Sequence, residues 1–312
     1  MTGGSGADST SESVAIVVVT YNRAAMLPGL LASFAALTRP ADAVLIVDNA
    51  STDDTADVLR DAAAAQAVGG LQVLTMADNL GGAGGFHAGV RAAYDAGFDR
   101  VWLMDDDVRP EPDCLARLLA VDEDALIAVR QDLEGRLCEK AATRFDLRSP
   151  WRARPKAATV ESTYGERAAM PELVEVENVA FEGFMVRRAA IARVGLPDPR
   201  FFIFYDDVDF AVRLRRAGVR ILAVRDAVLV RQLDFDQQHD LAGWKGFYMY
   251  RNLFVVHLRY GENALVRYRP FLVAAVLVLL SPLRGGRAEA SNVIRAMRSA
   301  WEMRHPPPAT VD

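Results

Sequence analysis

The segment VWLMDDDVRP, residues 101–110, joins an apolar run to three consecutive carboxylates. Val101 to Met104 has the composition of a strand that is buried on both faces. Asp105, Asp106 and Asp107 follow at its end, where their negative charges repel one another. A divalent cation held by oxygen ligands would relieve that repulsion, and ligands of open α/β sheets bind beyond the carboxyl ends of strands. The segment therefore predicts a buried strand that ends at a cation site, with a solvated acidic turn as the alternative.

Outward from this strand, apolar β-branched runs alternate with segments of helical periodicity. The runs Val14–Thr20, Ala43–Val47 and Leu71–Thr75 predict three further strands, and apolar residues at helical spacing after Asn22 predict a helix between the first two. Such alternation implies a mostly parallel sheet with right-handed crossovers, flanked by helices. With 312 residues, 51% of them hydrophobic, the chain can bury a substantial core. The predicted fold class is α/β.

Two segments are predicted to be irregular. Asn79 to Gly89 contains five glycines in eleven residues, which would let the backbone approach a ligand closely. Its spacing matches neither a Walker loop nor a dinucleotide-binding fingerprint, so a turn that only caps the next helix is the alternative. That helix is expected to run through about Ala96. Residues 147–172 are rich in Arg, Pro and Ala with weak periodicity, which predicts a surface excursion or a mobile loop.

A second acidic block, FFIFYDDVDF at residues 201–210, contains an aromatic run followed by carboxylates. Desolvation by the aromatic residues would raise the pKa of one carboxyl group, as suits a general base. The alternative is the first turn of a helix, where carboxylates are stabilised by the helix dipole. Both can hold, with Asp206 at the helix terminus and Asp207 facing a cavity. Trp102 and Phe204 could line that cavity or belong to the core.

Charge is distributed unevenly along the chain. The net charge is −5, but the residues from Leu241 onward contain ten Lys/Arg against four Asp/Glu, a net of +6. The acidic body argues against nucleic acid as the main partner, whereas the basic tail suggests an anionic surface such as a membrane. Phe271–Leu280 is a ten-residue apolar run flanked by arginines and is too short to span a bilayer. It predicts an interfacial helix or a buried one.

The predicted organisation has three parts. Residues 1–13 are small and polar, lack the features of an export signal, and predict a disordered leader. Residues 14–235 form the α/β domain, and residues 236–312 form a C-terminal helical segment that could associate with a membrane. Cys114 and Cys138 belong to no CxxC pattern or Cys/His cluster, so neither a zinc site nor a disulfide framework is expected, and a reducing cytosol fits.

Six motifs in chain order resemble those of inverting nucleotide-sugar glycosyltransferases of the family 2 type, which have the Rossmann-like GT-A fold. They are VVVTYNR, VDNASTDDT, DNLGGAGGFHAG, the Asp triplet, VENVAFEGFMVRR and VGLPDPRFFIFYDDVDF, between about Val14 and Arg231. The GGAGGF form is most similar to the galactofuranosyltransferase and rhamnosyltransferase-like branch. The resemblance implies a mixed, mostly parallel sheet that binds a nucleotide sugar, with a DXD motif at the Asp triplet.

The resemblance also implies a role for each matching residue. Asp207 would be the catalytic base, and Asp105 and Asp107 would hold Mn²⁺ or Mg²⁺. Glu182 and Asp206 would lie on the acceptor side. The residues that would contact the nucleotide sugar are Thr20, Tyr21, Asp48, Asn79, Gly82, Asp106 and Arg231.

One position departs from the family pattern. Many relatives carry a metal-binding His where an ungapped count from Asp207 puts Arg231. Arginine stays protonated and cannot ligate a metal, but its planar cation could face the pyrophosphate. His239 is the alternative ligand. We therefore expect the metal to bind through carboxylates, pyrophosphate and water.

The implied function is metal-dependent transfer of galactofuranose or rhamnose from a UDP- or dTDP-sugar to a glycan or lipid-linked glycan in cell-envelope polysaccharide synthesis. The implied location is cytoplasmic, peripheral on the inner face of the cell membrane. A nucleotidyltransferase would also use carboxylates and a metal, but it normally has a glycine-rich basic loop where this chain has Thr20-Tyr-Asn-Arg23. A non-catalytic nucleotide-sugar-binding module would be expected to lose the Asp triplet or Asp207, and the chain retains both. The residues leave the donor sugar, the acceptor, the linkage and the oligomeric state open.

Overall fold

A computed structural model describes residues 12–152, 155–233, 243–281, 287–309 and 311. The strands in this part of the chain are β1 Val14–Thr20, β2 Ala43–Asp48, β3 Leu71–Thr75, β4 Arg100–Asp105, β5 Val108–Pro110, β6 Ala125–Gln131, β7 Ala142–Phe145, β8 Lys156–Thr159, β9 Leu173–Val176, β10 Phe184–Arg187 and β11 Ile221–Arg231. The α-helices are α1 Leu27–Ala35, α2 Thr55–Ala64, α3 Gly81–Asp95, α4 Cys114–Leu119, α5 Val160–Tyr164, α6 Arg188–Val194, α7 Asp206–Arg216, α8 Trp244–Tyr260, α9 Ala264–Leu280 and α10 Arg287–Glu302.

The main sheet has the strand order β3-β2-β1-β4-β10-β6-β11-β5, with β9 also paired to β11. β1 is parallel to β2 and β4, β2 is parallel to β3, and β6 is parallel to β11. β10 is antiparallel to both β4 and β6, so those two strands run in the same direction. The strands β1, β2, β3, β4, β6 and β11 therefore end at one edge of the sheet, and β10 begins there. The predicted mixed, mostly parallel sheet is confirmed.

β1 is buried along its whole length because helices cover both faces of the sheet. Its β-branched residues alternate between two core layers. Val17 belongs to the layer that contains Val90 of α3, and Ile16 belongs to the layer that contains Leu27 and Leu30 of α1. This burial on two faces explains why the strand is a continuous apolar run rather than an alternating one.

The glycine-rich segment is largely helix, so the prediction of a loop there was wrong. α3 begins at Gly81 and ends at Asp95, close to the predicted end at Ala96. The glycines let this helix pack closely on β1, since a Cβ on Gly85 or Gly89 would lie 2.4 Å from a methyl carbon of Val19 or Val17. The helix therefore needs glycine for packing, which single-sequence periodicity does not reveal.

The Arg- and Pro-rich segment contains regular structure outside the main sheet, which its weak periodicity did not reveal. β8 pairs with β7 in an antiparallel two-stranded sheet. α5 follows directly, and its start is stabilised by a capping box between Thr159 and Ser162. The periodicity of the sequence did not predict these elements because they are short and half-exposed. Residues 153 and 154 lie outside the described residues.

The last two residues of the predicted leader contact the sheet. Glu12 forms ion pairs with Arg100 and Arg187, and the backbone and side chain of Ser13 donate to Asp99. Two arginines on neighbouring strands thus neutralise one carboxylate. Residues 1–11 lie outside the described residues, as do residues 234–242, in which the predicted domain boundary falls.

The C-terminal helices pack onto the α/β domain through apolar clusters, one of which includes all three helices. Phe254 of α8, Ala274 of α9 and Val293 of α10 share it with Ala83 of α3 and with Phe201. The apolar run 271–280 is the second half of α9, and several of its residues are exposed. In the described part of the chain, no helix is both long and apolar enough to cross a membrane.

Candidate active site

Two adjoining cavities lie at the carboxyl edge of the parallel strands. The first has a volume of about 870 Å³ and lies beside the ends of β1, β2 and β4. The second has a volume of about 440 Å³ and includes Arg130 at the end of β6 and Arg231 at the end of β11. Gly82, Asp105 and Ile203 line both cavities. The Asp triplet therefore lies where the two cavities meet.

Asp106 faces the first cavity through a contact with β1. Its Oδ2 accepts a hydrogen bond of 2.7 Å from the Thr20 hydroxyl, and its Oδ1 is 3.9 Å from Nε of Arg23. Burial raises the pKa of Asp106 to about 6, although the Thr20 hydrogen bond and the Arg23 charge both oppose the rise. Thr20 and Asp106, which the resemblance assigns to the nucleotide sugar, thus form one polar unit in the first cavity.

Asp105, Asp107 and Glu182 form the metal-competent cluster. One carboxylate oxygen from each lies within 4.8 Å of the other two. Burial and the neighbouring negative charges raise the pKa of Asp105 well above its usual value, and burial and Glu182 raise that of Asp107. Oδ1 of Asp107 is buried and has no hydrogen-bond partner among the described residues. An all-oxygen donor set with an unpartnered buried oxygen fits a hard divalent cation such as Mn²⁺ or Mg²⁺.

Glu182 joins this cluster because β10 begins beside the end of β4. Two arginines hold it: Arg130 contacts Oε2, and Nη2 of Arg231 lies 3.1 Å from the same oxygen. Arg130 is itself bound to the fully buried Glu139. Burial alone would raise the pKa of Glu182, but the charges of Arg130 and Arg231 lower it overall. Glu182 therefore lines the second cavity as an ionised group and also lies within reach of the metal cluster.

In the first cavity, Asn49 rather than Asp48 forms part of the wall. Asp48 is 2% exposed, its Oδ1 accepts a hydrogen bond from the backbone N–H of Ser51, and it lines neither of the two cavities. The side chain of Asn49 donates to Oδ1 of Asn79 and to the carbonyl of Gly81. The predicted contact of Asp48 with the base or ribose stays a prediction, and Asn49 is a lining residue that the sequence reasoning missed.

The C-terminal helices supply another wall of the first cavity. Tyr21, at 42% exposure, lies among its lining residues, as do aromatic and basic side chains of α8 and α10. These side chains are Trp244, Lys245, Phe247, Tyr248 and Arg295. The segment WKGFYMYRN carries an aromatic and basic signal in the sequence, but nothing in it indicates which cavity it reaches.

The second cavity contains the carboxylates of the DDVD block. α7 begins at Asp206, and Asp207 follows with Oδ1 accepting a hydrogen bond from the backbone N–H of Val208. Burial and the charge of Asp207 raise the pKa of Asp206 to about 8. Burial raises that of Asp207 to about 6, and the positive charge of Lys156 limits the rise. Burial therefore disfavours the ionised form of Asp206 more strongly than that of Asp207, which makes Asp207 the better proton acceptor of the two.

The two aromatic side chains considered as cavity walls have different environments. Phe204 lines the second cavity. Trp102 is fully buried in the core, where its indole N–H donates to the carbonyl of Gly183. His239, the alternative metal ligand, lies outside the described residues.

Comparison with known proteins assigns the chain to a family. The model of glycosyl transferase family 2 matches residues 15–193, from β1 into α6. The chain belongs to glycosyltransferase family 2. This family 2 glycosyltransferase is 31% identical over 254 residues to galactofuranosyltransferase GlfT1 of Mycobacterium tuberculosis (strain ATCC 25618 / H37Rv), covering 78% of this chain and 81% of the relative.

Two further comparisons agree with that assignment. The N-acetylglucosaminyl-diphospho-decaprenol L-rhamnosyltransferase of the same M. tuberculosis strain is 27% identical over 230 residues, covering 65% of this chain and 70% of the relative. The mannosyltransferase PcManGT from Pyrobaculum calidifontis, solved in complex with GDP-Man and Mn²⁺, superposes with a TM-score of 0.57 at 18% identity, covering 94% of this chain and 88% of that one. The GT-A fold and the glycosyltransferase activity class are thus confirmed.

Proposed function

We propose that this glycosyltransferase transfers galactofuranose or rhamnose from a UDP- or dTDP-sugar to a glycan or lipid-linked glycan acceptor, with inversion, in cell-envelope polysaccharide synthesis. The observation that carries the proposal is the meeting of two cavities at Asp105. One has the size and polar groups for a nucleotide diphosphate, and the other contains Asp207. The names of the two mycobacterial relatives support the choice of sugars.

The donor occupies the first cavity in this proposal. Tyr21 stacks on the base, and the Thr20–Asp106 pair meets the ribose. Lys245 and Arg295 offer positive charge to the diphosphate from the C-terminal helices. Asp105 and Asp107 would hold a divalent cation, with Glu182 as a third carboxylate within reach. When bound, this cation neutralises the charge that grows on the departing β-phosphate.

The acceptor occupies the second cavity. Its hydroxyl oxygen forms a bond to the anomeric carbon while the bond from that carbon to the β-phosphate oxygen breaks, and the hydroxyl proton passes to the Asp207 carboxylate. Attack from the face opposite the leaving group inverts the anomeric configuration. Burial and the charge of Asp207 raise the pKa of Asp206, which opposes a second negative charge beside the base.

To test the function, nucleotide release is measured with UDP-galactofuranose, dTDP-rhamnose and UDP-galactopyranose, with a lipid-linked glycan acceptor, in Mn²⁺ or in EDTA. We expect release and transfer with one of the first two donors, only with metal. Asp107→Asn should weaken Mn²⁺ binding, read by the electron paramagnetic resonance of free Mn²⁺, whereas the exposed-site variant Asp57→Asn should not. Absence of binding and turnover with every donor in Mn²⁺ contradicts the proposal.

We also propose that α9 attaches the protein to an anionic membrane surface, the inner face of the cell membrane. Leu265, Tyr268, Leu272 and Leu279 are between 53% and 76% exposed, and their spacing puts them on one face of the helix. Basic residues on the same C-terminal segment complement anionic lipid, and each Lys or Arg near such a surface adds about 1 kcal/mol of attraction. Apolar contact and charge together suit an interfacial helix.

Vesicle flotation tests this attachment. We expect flotation with vesicles of anionic lipid, weaker flotation with neutral lipid, and loss of both in the double variant Leu272→Asp, Leu279→Asp. Leu133→Asp is the matched control, because Leu133 is 66% exposed but lies between β6 and β7. Equal flotation with both lipids, or unchanged flotation of the double variant, would contradict the attachment.

A further inference from the structure

The segment that leads into α7 has an unusual backbone. Phe202, Phe204 and Tyr205 all have positive φ angles, of 64°, 67° and 67°. Residues with a Cβ rarely adopt this conformation, and it persists only where surrounding contacts enforce it. The segment carries Phe204 into the second cavity, carries Ile203 into both, and ends immediately before Asp206 and Asp207. Its shape therefore sets the position of the carboxylates.

The side chain of Asn252, on α8, donates hydrogen bonds to carbonyl groups of this segment. Its Nδ2 lies 3.0 Å from the carbonyl oxygen of Phe201, 2.7 Å from that of Ile203 and 2.9 Å from that of Phe204. One amide group thus donates its two hydrogens among three carbonyls. Asn252 is fully buried, so water cannot replace these contacts.

Arg251 orients this amide and extends the contact. Its Nε donates to Oδ1 of Asn252 at 2.8 Å, which fixes Nδ2 toward the segment. Its Nη2 donates to the carbonyls of Arg200 and Phe201 at 2.8 and 2.7 Å. The guanidinium also lies 4.7 Å from the ring centroid of Tyr248, and that ring stacks on Phe202 at 4.8 Å.

Helix α3 also contacts this segment. The backbone N–H of Ala83 donates to the carbonyl of Phe202, and a Cβ on Gly81 would lie 2.0 Å from that oxygen. Helix α3 and helix α8 therefore both hold the same strained backbone in place. α3 is part of the α/β domain, whereas α8 belongs to the C-terminal helices.

We infer that Asn252, oriented by Arg251, is a positioning residue for catalysis: it holds the strained segment 201–205 in the shape that presents Asp207 to the acceptor cavity. The inference rests on the proposed role of Asp207 as the base. The C-terminal helices then contribute to the reaction itself, because their buried Arg251–Asn252 pair fixes the geometry of a carboxylate in the α/β domain. A displacement of about 1 Å in such a group can lower the rate about 10²-fold.

The test compares transfer to the acceptor with metal-dependent hydrolysis of the donor by water. Transfer needs the base in place, whereas slow hydrolysis needs the donor site and the cation. For Asn252→Ala we expect kcat for transfer to fall about 10²-fold and the hydrolysis rate to fall much less, so that the ratio of transfer to hydrolysis drops. Arg251→Lys keeps the charge but loses the planar fork, and we expect a smaller fall of the same pattern.

His257→Ala is the matched control. His257 is also a buried polar residue of α8, and its Nδ1 lies 2.9 Å from the carbonyl oxygen of Leu253 in its own helix. It should lose stability without a change in the ratio of transfer to hydrolysis. If Asn252→Ala folds poorly, Arg251→Lys takes its place in the test, and the ratio of transfer to hydrolysis is measured on its folded fraction.

Failure of this inference can be distinguished from failure of the proposed function. If the wild-type protein is active and both Asn252→Ala and Arg251→Lys keep its ratio of transfer to hydrolysis, the positioning role alone is overturned. Equal loss of transfer and hydrolysis in these variants also overturns it, because that pattern indicates general damage. Wild-type protein that neither transfers nor hydrolyses any nucleotide sugar contradicts the proposed function instead.

Discussion

The carboxylates in and near α7 form two sets. Those of one set are bound by arginines, and those of the other face a cavity without an ion pair in the part of the chain that the structure describes. Asp209 is fully buried and accepts hydrogen bonds from Arg213, Arg259 and the hydroxyl of Tyr260. Asp207, two residues earlier on the same helix, has no ion pair within 4 Å among the described residues and faces a cavity. Cation partners therefore distinguish the two positions. The paired carboxylate stabilises the fold, and the unpaired one is available for chemistry.

The pKa values follow the same division. Asp198, which Arg200 and Arg259 bind, has its pKa lowered despite burial. Asp207 has its pKa raised to about 6 because burial outweighs the positive charge of Lys156. The carboxyl groups with raised pKa values lie at the sheet edge and in the cavities. This is the pattern expected when carboxylates are reserved for a cation and a proton.

The largest stability effect is expected at the paired carboxylates. Arg259→Met leaves Asp198 and Asp209 without their shared cation, and removing one partner of a buried ion pair costs about 3–5 kcal/mol. Urea unfolding measures this change. Arg60→Met, which removes an exposed pair with Asp57, should change the free energy of unfolding by less than about 0.5 kcal/mol. A loss at Arg259 no larger than that at Arg60 would erase the distinction between the two sets.

A smaller effect is expected at Arg231, which binds the carboxylate of Glu182 beside the metal cluster. Arg231→Ala should lower turnover and donor affinity at saturating Mn²⁺ by about 10- to 100-fold, since a hydrogen bond to a charged group contributes about 1.5–3 kcal/mol. Steady-state kinetics at several Mn²⁺ concentrations provide the measurement. His239→Ala should change little. A sharp rise in the Mn²⁺ requirement of His239→Ala alone would instead make His239 the missing ligand.

The pH dependence should be milder still. The base must be ionised to accept a proton, and its pKa is raised to about 6. The value of kcat/KM for the acceptor should therefore be nearly constant above pH 7 and fall about tenfold per pH unit well below about 6. Stability is measured at each pH to separate unfolding from titration. A rate that is flat from about pH 7 to pH 5 would mean that Asp207 does not titrate as the base.

The sequence predicts the strands of the sheet and the carboxylates at their ends because both leave local signals. Val14–Thr20 is apolar throughout since it is buried on two faces, and the Asp triplet follows its strand directly. The glycine-rich helix was mistaken for a loop because its glycines serve packing against Val17 and Val19, a contact between distant residues.

Several residues reach the site through tertiary contacts, so the sequence does not show their place in it. Asn49 lines the first cavity although its neighbour Asp48 has the more conspicuous charge. Lys245 and Arg295 enter the same cavity from helices more than a hundred residues beyond the Asp triplet in the sequence. Asn252 acts on the backbone of a segment that precedes it by about fifty residues. No local pattern encodes such distances.

The most direct test of the unpaired-carboxylate account replaces Asp207 and Asp209 in turn. The free energy of unfolding of Asp207→Asn is expected to equal or exceed that of the wild type. This variant should bind the nucleotide sugar with nearly unchanged affinity, but its rate of transfer should fall about 10²- to 10⁴-fold. Asp209→Asn is expected to lose stability, with the remaining folded protein still able to transfer. Transfer by Asp207→Asn at close to the wild-type rate would contradict the account and move the base to another carboxylate, with Asp206 as the first candidate.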